Sequence, residues 1–487
     1  MAPAISPLRG SQRLLFLLGL VLLWPGLNHG DVYVFNDTIS YLRGADTLFL
    51  KAFGHQEPFF APVHVAGGAP GPAGASGEGG RTMVLYGRSI YFGLFLYTGM
   101  LLHSLWVPVI AQALATGAVL VAIVRHFVDP AREAAFRRAC LAAFAIVAVT
   151  PLPFFVCYLM PDLAVGLALP GMALLLVGWR RERPVWRVGL LALAVFAALA
   201  HSTAVAVFTL FGIAALLIAW RGRANGRARD LAIPALLMLL AGLGGIAGEA
   251  AFGLATRLTT GLDPVRPPFI TARLVEDGPG RRFLNERCAG SGFVLCRYPL
   301  EGEVTAEGFL WIGTPGRGGF KALPVDDAVR VSHEQTRFAL AVARAYPVET
   351  AAAMVKDAAK LATNFTLEEF RPVFLAETMR PDMRFESVPP GTPLPLELRA
   401  VSALTMLMVL VALASLLWIA RARLVGESKR LVFVVLAGIV ANDVICACLS
   451  GPFARYNTRV IWALPLVTLL FMLAAREQQR SEPARPA

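Results

Sequence analysis

The sequence is poor in charged residues, in cysteine and in histidine, and each shortage excludes a class of protein. Of its 487 residues only 16% are Asp, Glu, Lys or Arg, against about 25% in an ordinary soluble domain. Six cysteines are too few for a disulfide-stapled secreted scaffold. The sequence also contains no P-loop, no GxGxxG after a strand, no HExxH and no Cys/His spacing typical of zinc sites. It therefore shows no sign of a soluble-type cofactor site.

The chain instead contains long apolar runs without charged residues, and hydrophobic residues make up 56% of it. A helix that crosses the ~30 Å hydrocarbon core of a bilayer needs roughly 20 apolar residues, and some have about 17. The runs predict an all-α polytopic membrane protein with ten transmembrane segments: 12–29, 104–124, 139–158, 162–178, 188–200, 202–219, 231–248, 398–420, 431–449 and 460–475. Because the fifth is short, one long tilted helix over 188–219 is an alternative.

Basic residues are spread unevenly around these segments. A set of connecting loops holds 21 of the 45 basic residues and 7 of the 33 acidic ones: 1–13, 125–138, 180–187, 221–230, 421–430 and the tail from 476. The positive-inside rule places these loops and both termini in the cytoplasm, and we expect a bacterial inner membrane. The rule also favours two crossings over 188–219, with a turn at His201, because both flanking basic clusters then lie inside. The net charge of +12 thus reflects topology and predicts no nucleic-acid partner.

The N-terminal run has a second interpretation. Arg9 and Arg13 precede a Leu-rich stretch, as in a signal peptide, but no small-residue cleavage site follows. We therefore expect a retained span.

The predicted topology divides the chain into a membrane core (1–248), a large outer loop domain (249–397) and a C-terminal membrane part with a short basic tail (398–487). The core includes a first outer loop, 30–103. In that loop the apolar spacing from Thr38 to Phe53 predicts an interfacial helix. A second helix, interfacial or half-buried, is expected at 89–102, and the Gly-rich strip 66–80 separates the two.

The large loop, residues 249–397, is predicted to be irregular to about residue 325 and helical over 328–345 and 348–363. Cys288 and Cys296 both lie in it. In an oxidising compartment they would close a nine-residue ring as a disulfide, and two free thiols are an equal alternative.

Ionisable residues near apolar spans are costly, so their placement is informative. Here they collect at the predicted outer ends of the spans: Asp37, Asp162, His201, Glu249, Asp443, Arg455 and Arg459. A lipid-linked substrate presents its polar head at this depth. Plainer roles exist for each. The acids at 37 and 162 are candidate N-caps, as is Asn36. As plainer roles, His201 would be a turn residue and Glu249 a residue at the membrane interface. Asp443 would make a helix contact beside Asn442, and the two arginines would anchor lipid headgroups.

Three short motifs resemble those of the GT-C glycosyltransferases: Asp37-Thr38-x-x-Tyr41 after the first span, the Met160-Pro161-Asp162 turn, and Arg455-Tyr456-x-x-Arg459-x-x-Trp462-x-x-Pro465. Members of that family are polytopic enzymes that use polyprenyl-phosphate-linked sugars, with relatives among the protein mannosyltransferases and aminoarabinose transferases. Many members carry an Asp-Glu pair in the first loop, whereas Thr38 follows Asp37 here. One candidate carboxylate remains, and dependence on a divalent metal stays open. The large loop has no counterpart in the resemblance.

The resemblance implies an inverting membrane glycosyltransferase that takes a sugar from a polyprenyl-phosphate carrier to a lipid, glycan or protein acceptor at the outer face. It implies Asp37 as general base, donor-phosphate binding by Arg455, Arg459 and Arg88, and a pocket lined by Tyr41, Asp162, His201, Asp443 and Tyr456. Three alternatives remain: an O-antigen ligase or polymerase that would act through His333 and loop arginines, a transporter, and a structural membrane protein.

Overall fold

A computed structural model describes residues 17–57, 84–85, 87–222, 228–262, 264–314, 316, 319–370, 393–421 and 426–481. These residues are helical apart from connecting segments and two isolated bridges, and no longer strand occurs among them. The predicted all-α class is confirmed. The α-helices are, in chain order, α1 (Trp24–His29), α2 (Asn36–Phe53), α3 (Ile90–Leu101), α4 (Trp106–Phe127), α5 (Glu133–Val147), α6 (Leu152–Val156), α7 (Asp162–Gly178), α8 (Pro184–Ala200), α9 (Ser202–Arg221), α10 (Ala228–Thr260), α11 (Phe269–Glu276), α12 (Pro279–Glu286), α13 (Ala306–Trp311), α14 (Val325–Ala345), α15 (Pro347–Ala362), α16 (Leu396–Arg421), α17 (Gly426–Leu449), α18 (Ala454–Ile461) and α19 (Ala463–Ser481).

Helices long and apolar enough to cross a bilayer number six within the described ranges: Trp106–Phe127, Ser202–Arg221, Asp230–Thr259, Leu396–Arg421, Gly426–Leu449 and Ala454–Gln478. They correspond to the second and to the sixth to tenth predicted segments. The multi-pass membrane character of the chain is therefore confirmed, but the count of ten spans is not.

The other four predicted segments differ from full-length spans. Helices α7 and α8 are apolar but have 17 residues each. The predicted span 139–158 is broken, because Pro151 and Pro153 lack the N–H groups that would continue α5. Of the first predicted span, residues 12–16 lie outside the described part, and the remainder is a 3₁₀ turn followed by the short α1.

The region 188–219 consists of two helices, α8 and α9, that meet at the extended residue His201. The single tilted helix is therefore excluded. The next helix, α10, runs to Thr260, past the predicted end at 248. Glu249 thus lies inside a helix, and its carboxylate pairs with Arg266 at 2.6 Å.

Both helices expected in the first outer loop are present, as α2 and α3, and they pack against each other. The rings of Tyr41 and Phe92 meet edge to face at 5.2 Å. The Gly-rich strip 66–80 lies outside the described residues.

In the large loop, the two expected helices are present as α14 and α15, and Cys288 is bonded to Cys296, with their Cα atoms 5.4 Å apart. The expectation of irregular structure before residue 325 was wrong, because α11, α12 and α13 occur there. These helices have only six to eight residues and sit between prolines and glycines, so they leave no sustained apolar period.

The large loop docks directly on the membrane helices. Leu361 of α15 packs against Cys446 and Ala447 of α17. Farther along, Phe370 is fully buried and its ring lies 4.7 Å from that of Tyr158. The loop therefore ends against the helix bundle, beside the residues gathered at that end.

Candidate functional site

A short backbone pairing fixes the start of the first loop against the turn before α7. The N–H of Tyr33 donates to the carbonyl of Cys157 at 2.8 Å, and the N–H of Leu159 donates to the carbonyl of Tyr33 at 3.0 Å. The hydroxyl of Thr38 then donates to the carbonyl of Leu159 at 3.1 Å and accepts from the N–H of Phe35. Thr38 thus caps α2, and Asp37 is not needed as a cap.

The side chain of Asp37 is free of the helix end and pairs with Arg88, whose Nη2 lies 2.5 Å from Oδ1 of the carboxylate. Arg88 stands just before α3. The two side chains are 18% and 31% exposed, so both remain within reach of a substrate. The predicted base and one predicted phosphate ligand are therefore direct neighbours.

Arg459, by contrast, is completely buried and serves as the centre of a polar network. Its Nη1 donates to Oδ1 of Asp162 at 2.9 Å, and its Nη2 donates to Oδ1 of Asn442 at 2.9 Å and to Sγ of Cys446 at 3.3 Å. Only Nε of this guanidinium lacks a partner among the described residues. Gly166 makes room for this arrangement, because a Cβ there would lie 2.3 Å from the Arg459 carbonyl oxygen.

These bonds argue against the two roles predicted for Arg459, lipid anchor and donor-phosphate ligand. Both of its Nη atoms already donate inside the bundle, and the carboxylate of Asp162 neutralises its charge. The interpretation of Asp162 as an N-cap is wrong, because its side chain makes no capping bond on α7. It compensates the buried charge of Arg459 instead.

His201 joins the same network. Its Nδ1 accepts the N–H of Thr203 at 3.1 Å, and its Nε2 lies 3.4 Å from Nη1 of Arg459. Both ring nitrogens of His201 thus face N–H donors, and a neutral imidazole can accept from only one of them. Protein groups occupy both sides of the ring, which fixes its orientation beside Arg459.

Of the three arginines predicted to bind phosphate, Arg455 is the one without a carboxylate partner among the described residues. Its guanidinium stacks over the rings of Phe35 at 4.7 Å and Tyr456 at 5.1 Å. Among the described residues, no carboxylate oxygen lies within the 4.0 Å of an ion pair with it. Arg455 and the Asp37–Arg88 pair both lie within electrostatic range of Tyr41.

Tyr41, Tyr456 and Asp443 occupy three different positions around this cluster. Tyr41 is buried, within electrostatic range of Asp37, Arg88, Asp162 and Arg455. Tyr456 lies between the two arginines, with its ring centre 6.3 Å from that of His201. Asp443 is buried and bonded to Asn442 at 3.0 Å, so it reaches the network only through that amide.

Sequence reasoning missed Glu369 and Tyr158. Glu369 lies in a 3₁₀ turn of the large loop, and the backbone N–H of Arg455 points towards its carboxylate. Burial raises the pKa of Glu369, while the nearby charge of Arg455 opposes that rise. No local pattern marks this acid, because contacts made on folding bring the segment here. These include the docking of Phe370 on Tyr158 and the bond from Asn457 Nδ2 to the Asn364 carbonyl.

No cluster of three or more His, Cys, Asp or Glu that could hold a metal ion occurs among the residues that the structure describes. The disulfide of the large loop is not part of this cluster. Comparisons of the chain with protein-family models, with curated proteins and with solved structures find no match.

Proposed function

We propose that this protein is a membrane glycosyltransferase that transfers a sugar from a polyprenyl-phosphate carrier to a lipid, glycan or protein acceptor at the outer face of the membrane. One observation carries the proposal: a partly exposed carboxylate, Asp37, pairs with Arg88, and a second arginine, Arg455, shares their neighbour Tyr41 at one end of a membrane helix bundle. A proton acceptor next to anion-binding groups at headgroup depth suits a lipid phosphate as leaving group.

In the proposed reaction, the acceptor hydroxyl attacks the anomeric carbon of the donor sugar and gives its proton to the Asp37 carboxylate. A new bond forms between the acceptor oxygen and the anomeric carbon, and the bond from that carbon to the phosphate oxygen breaks. The polyprenyl phosphate leaves with the bonding electron pair. One displacement of this kind inverts the anomeric configuration.

Arg455 and Arg88 have different roles towards the donor phosphate. Arg455 has no carboxylate within ion-pair distance among the described residues, so its charge is available to the donor. Arg88 is held by Asp37 in an ion pair. An incoming phosphate offers Arg88 a second anionic partner, and a shift of Arg88 towards it frees Asp37 to act as base.

The deciding experiment is an assay of the purified protein with polyprenyl-phosphate sugars, in which wild type is compared with Asp37→Asn. We expect the variant to lose about 100-fold or more of the transfer rate, the usual effect of removing a general base. Asp129→Asn is the matched control, because Asp129 is an exposed acid in the predicted cytoplasmic loop between α4 and α5, and its rate should equal that of wild type.

Wild-type protein that is folded but inert towards every such donor would count against an enzyme of this class. Full activity of Asp37→Asn with loss in His333→Ala would favour the ligase alternative. His333 is exposed on α14 in the large loop, away from Asp37.

A further inference from the structure

We infer that Glu369 and Tyr158 form a hydroxyl-binding subsite beside Arg455, where the sugar ring of the donor is held. This inference rests on the proposed function and extends it to a group that the large loop supplies. It assigns that loop a part in substrate recognition.

The first observation is a set of buried polar atoms without partners. Tyr158 is completely buried, yet its hydroxyl has no hydrogen-bond partner among the described residues. Oε2 of Glu369 and Nε of Arg455 are likewise buried atoms without a partner among the described residues. A buried polar group left unpaired costs about 1–3 kcal/mol, and a ligand that bonds to all three atoms would recover that cost.

These groups belong to one place. Tyr158 lies within electrostatic range of both Arg455 and Glu369. Its ring is 6.2 Å from that of Phe35, over which Arg455 stacks. On its other side it contacts Phe370, the residue that follows Glu369. The three unpaired atoms thus come from three separate elements that meet beside Phe35.

The chemistry of the three groups fits a polyhydroxyl compound. A carboxylate oxygen accepts, a guanidinium N–H donates, and a phenol does both, so together they match neighbouring sugar hydroxyls. The carboxylate of Glu369 repels a phosphate, which therefore binds on the side of Arg455 nearer Arg88. The sugar then lies next to Glu369, while the aromatic rings provide an apolar wall.

The inference is tested by measuring the binding of two ligands to the full-length protein in nanodiscs: bare polyprenyl phosphate and polyprenyl-phosphate hexose. In Glu369→Gln and in Tyr158→Phe we expect the affinity for the sugar-linked ligand to fall roughly tenfold or more, since a site built around a hydroxyl loses binding when a partner is removed. The affinity for bare polyprenyl phosphate should stay unchanged.

Glu368→Gln is the matched control, because Glu368 is exposed on the same 3₁₀ turn. It should bind both ligands as wild type does. Both test substitutions keep the shape of the side chain, and thermal melting of each variant checks that it is folded.

The outcomes separate the two proposals. If wild type binds both ligands and neither variant weakens the sugar-linked one selectively, the subsite is wrong while the proposed function stands. An equal loss for both ligands also overturns the subsite, because the residues would then act on the phosphate. If wild type binds neither ligand, the proposed function fails and the subsite fails with it.

Discussion

Two arginines four residues apart, Arg455 and Arg459, meet opposite environments. Arg459 points into the bundle, where its charge is neutralised by the carboxylate of Asp162. Arg455 stacks on aromatic rings, and no carboxylate lies within ion-pair distance of it among the described residues. Both are arginines of one short helix, so only their neighbours in three dimensions distinguish the paired cation from the one that we propose binds the donor.

The buried pair Asp162–Arg459 gives a first prediction. Removing one partner leaves an uncompensated buried charge, which costs about 3–5 kcal/mol. We expect Asp162→Asn and Arg459→Met each to lower the melting temperature strongly. The double variant should be more stable than the sum of the two losses implies. Melting of the four proteins in the same detergent measures this coupling, and strictly additive losses would contradict it.

A second prediction concerns Arg455. Arg455→Ala should weaken the binding of polyprenyl phosphate by roughly 10- to 100-fold, as expected for charge-assisted hydrogen bonds, with little change in melting temperature. Arg455→Lys should recover part of the affinity, because lysine keeps the charge but lacks the planar fork. Unchanged binding in the alanine variant would remove Arg455 from the donor site.

At the scale of elements, close helix contacts fix the site. Gly166 brings α7 against the backbone of α18, and this places Asp162 beside Arg459. The large loop adds a second kind of contact, since α15 packs along α17 and carries the 3₁₀ turn with Glu369 to the bundle.

The third prediction is that Gly166→Ala destabilises the protein and weakens its activity. Its Cβ would meet the Arg459 carbonyl oxygen at 2.3 Å, and backbone yields less readily than a side-chain tip. Gly189→Ala is the control on α8, because nothing lies within 4 Å of a Cβ there. Alanine at that position should be neutral or stabilising by up to about 1 kcal/mol. Equal melting temperatures for the two variants would show that α7 can move away freely.

In the large loop, Arg273 binds two acids, Asp277 and Asp357, and so links two helices. Arg273 of α11 bonds to Asp277 at 2.5 Å and to Asp357 of α15. Burial raises the pKa of Asp277 to about 6, with the carboxylate of Asp357 acting in the same direction and Arg273 opposing.

A fourth prediction follows for pH. The folded protein holds the carboxyl proton of Asp277 more tightly than the unfolded chain does. The free energy of unfolding therefore falls as pH rises from about 4 to about 6. Asp277→Asn mimics the protonated form, so its melting temperature should drop less than that of wild type between pH 4 and pH 6. Parallel pH profiles for the two proteins would rule out this contribution.

At the scale of the whole molecule, the two ends of the helix bundle differ in their charges. One end bears Asp37, Arg88, Arg455 and the docked large loop. The other bears surface pairs such as Arg181 with Glu427 at 3.1 Å. We propose that the first end faces outside, because the basic loops that the positive-inside rule assigns to the cytoplasm lie at the second.

The disulfide supplies the fifth prediction, because such a bond persists in an oxidising compartment. Protein taken from cells under acid quench, denatured and treated with a maleimide of high mass should carry four labels, at Cys140, Cys157, Cys446 and Cys448. Reduction beforehand should raise the number to six. A variant with serine at 288 and 296 should carry four in both cases. Six labels without reduction would place the large loop on the reducing side.

The sequence by itself determined the membrane character of the chain, the two helices of the first loop and those at 325–362. Apolar length and period are local properties, and a local pattern is enough to predict them. It also indicated which ionisable residues are costly, and most of these gather in one cluster. The sequence-based prediction was wrong where prolines break the third predicted segment. It also missed the helices of the large loop that are too short to show a helical period of apolar residues.

Only the tertiary structure decided the roles within that cluster. Asp37 pairs with Arg88 across 51 residues, and Arg459 pairs with Asp162 across 297. Glu369 enters because an aromatic residue beside it docks on the bundle. Such assignments depend on which charges and unpaired atoms become neighbours after folding, because an electrostatic interaction depends on distance in space and not on separation along the chain.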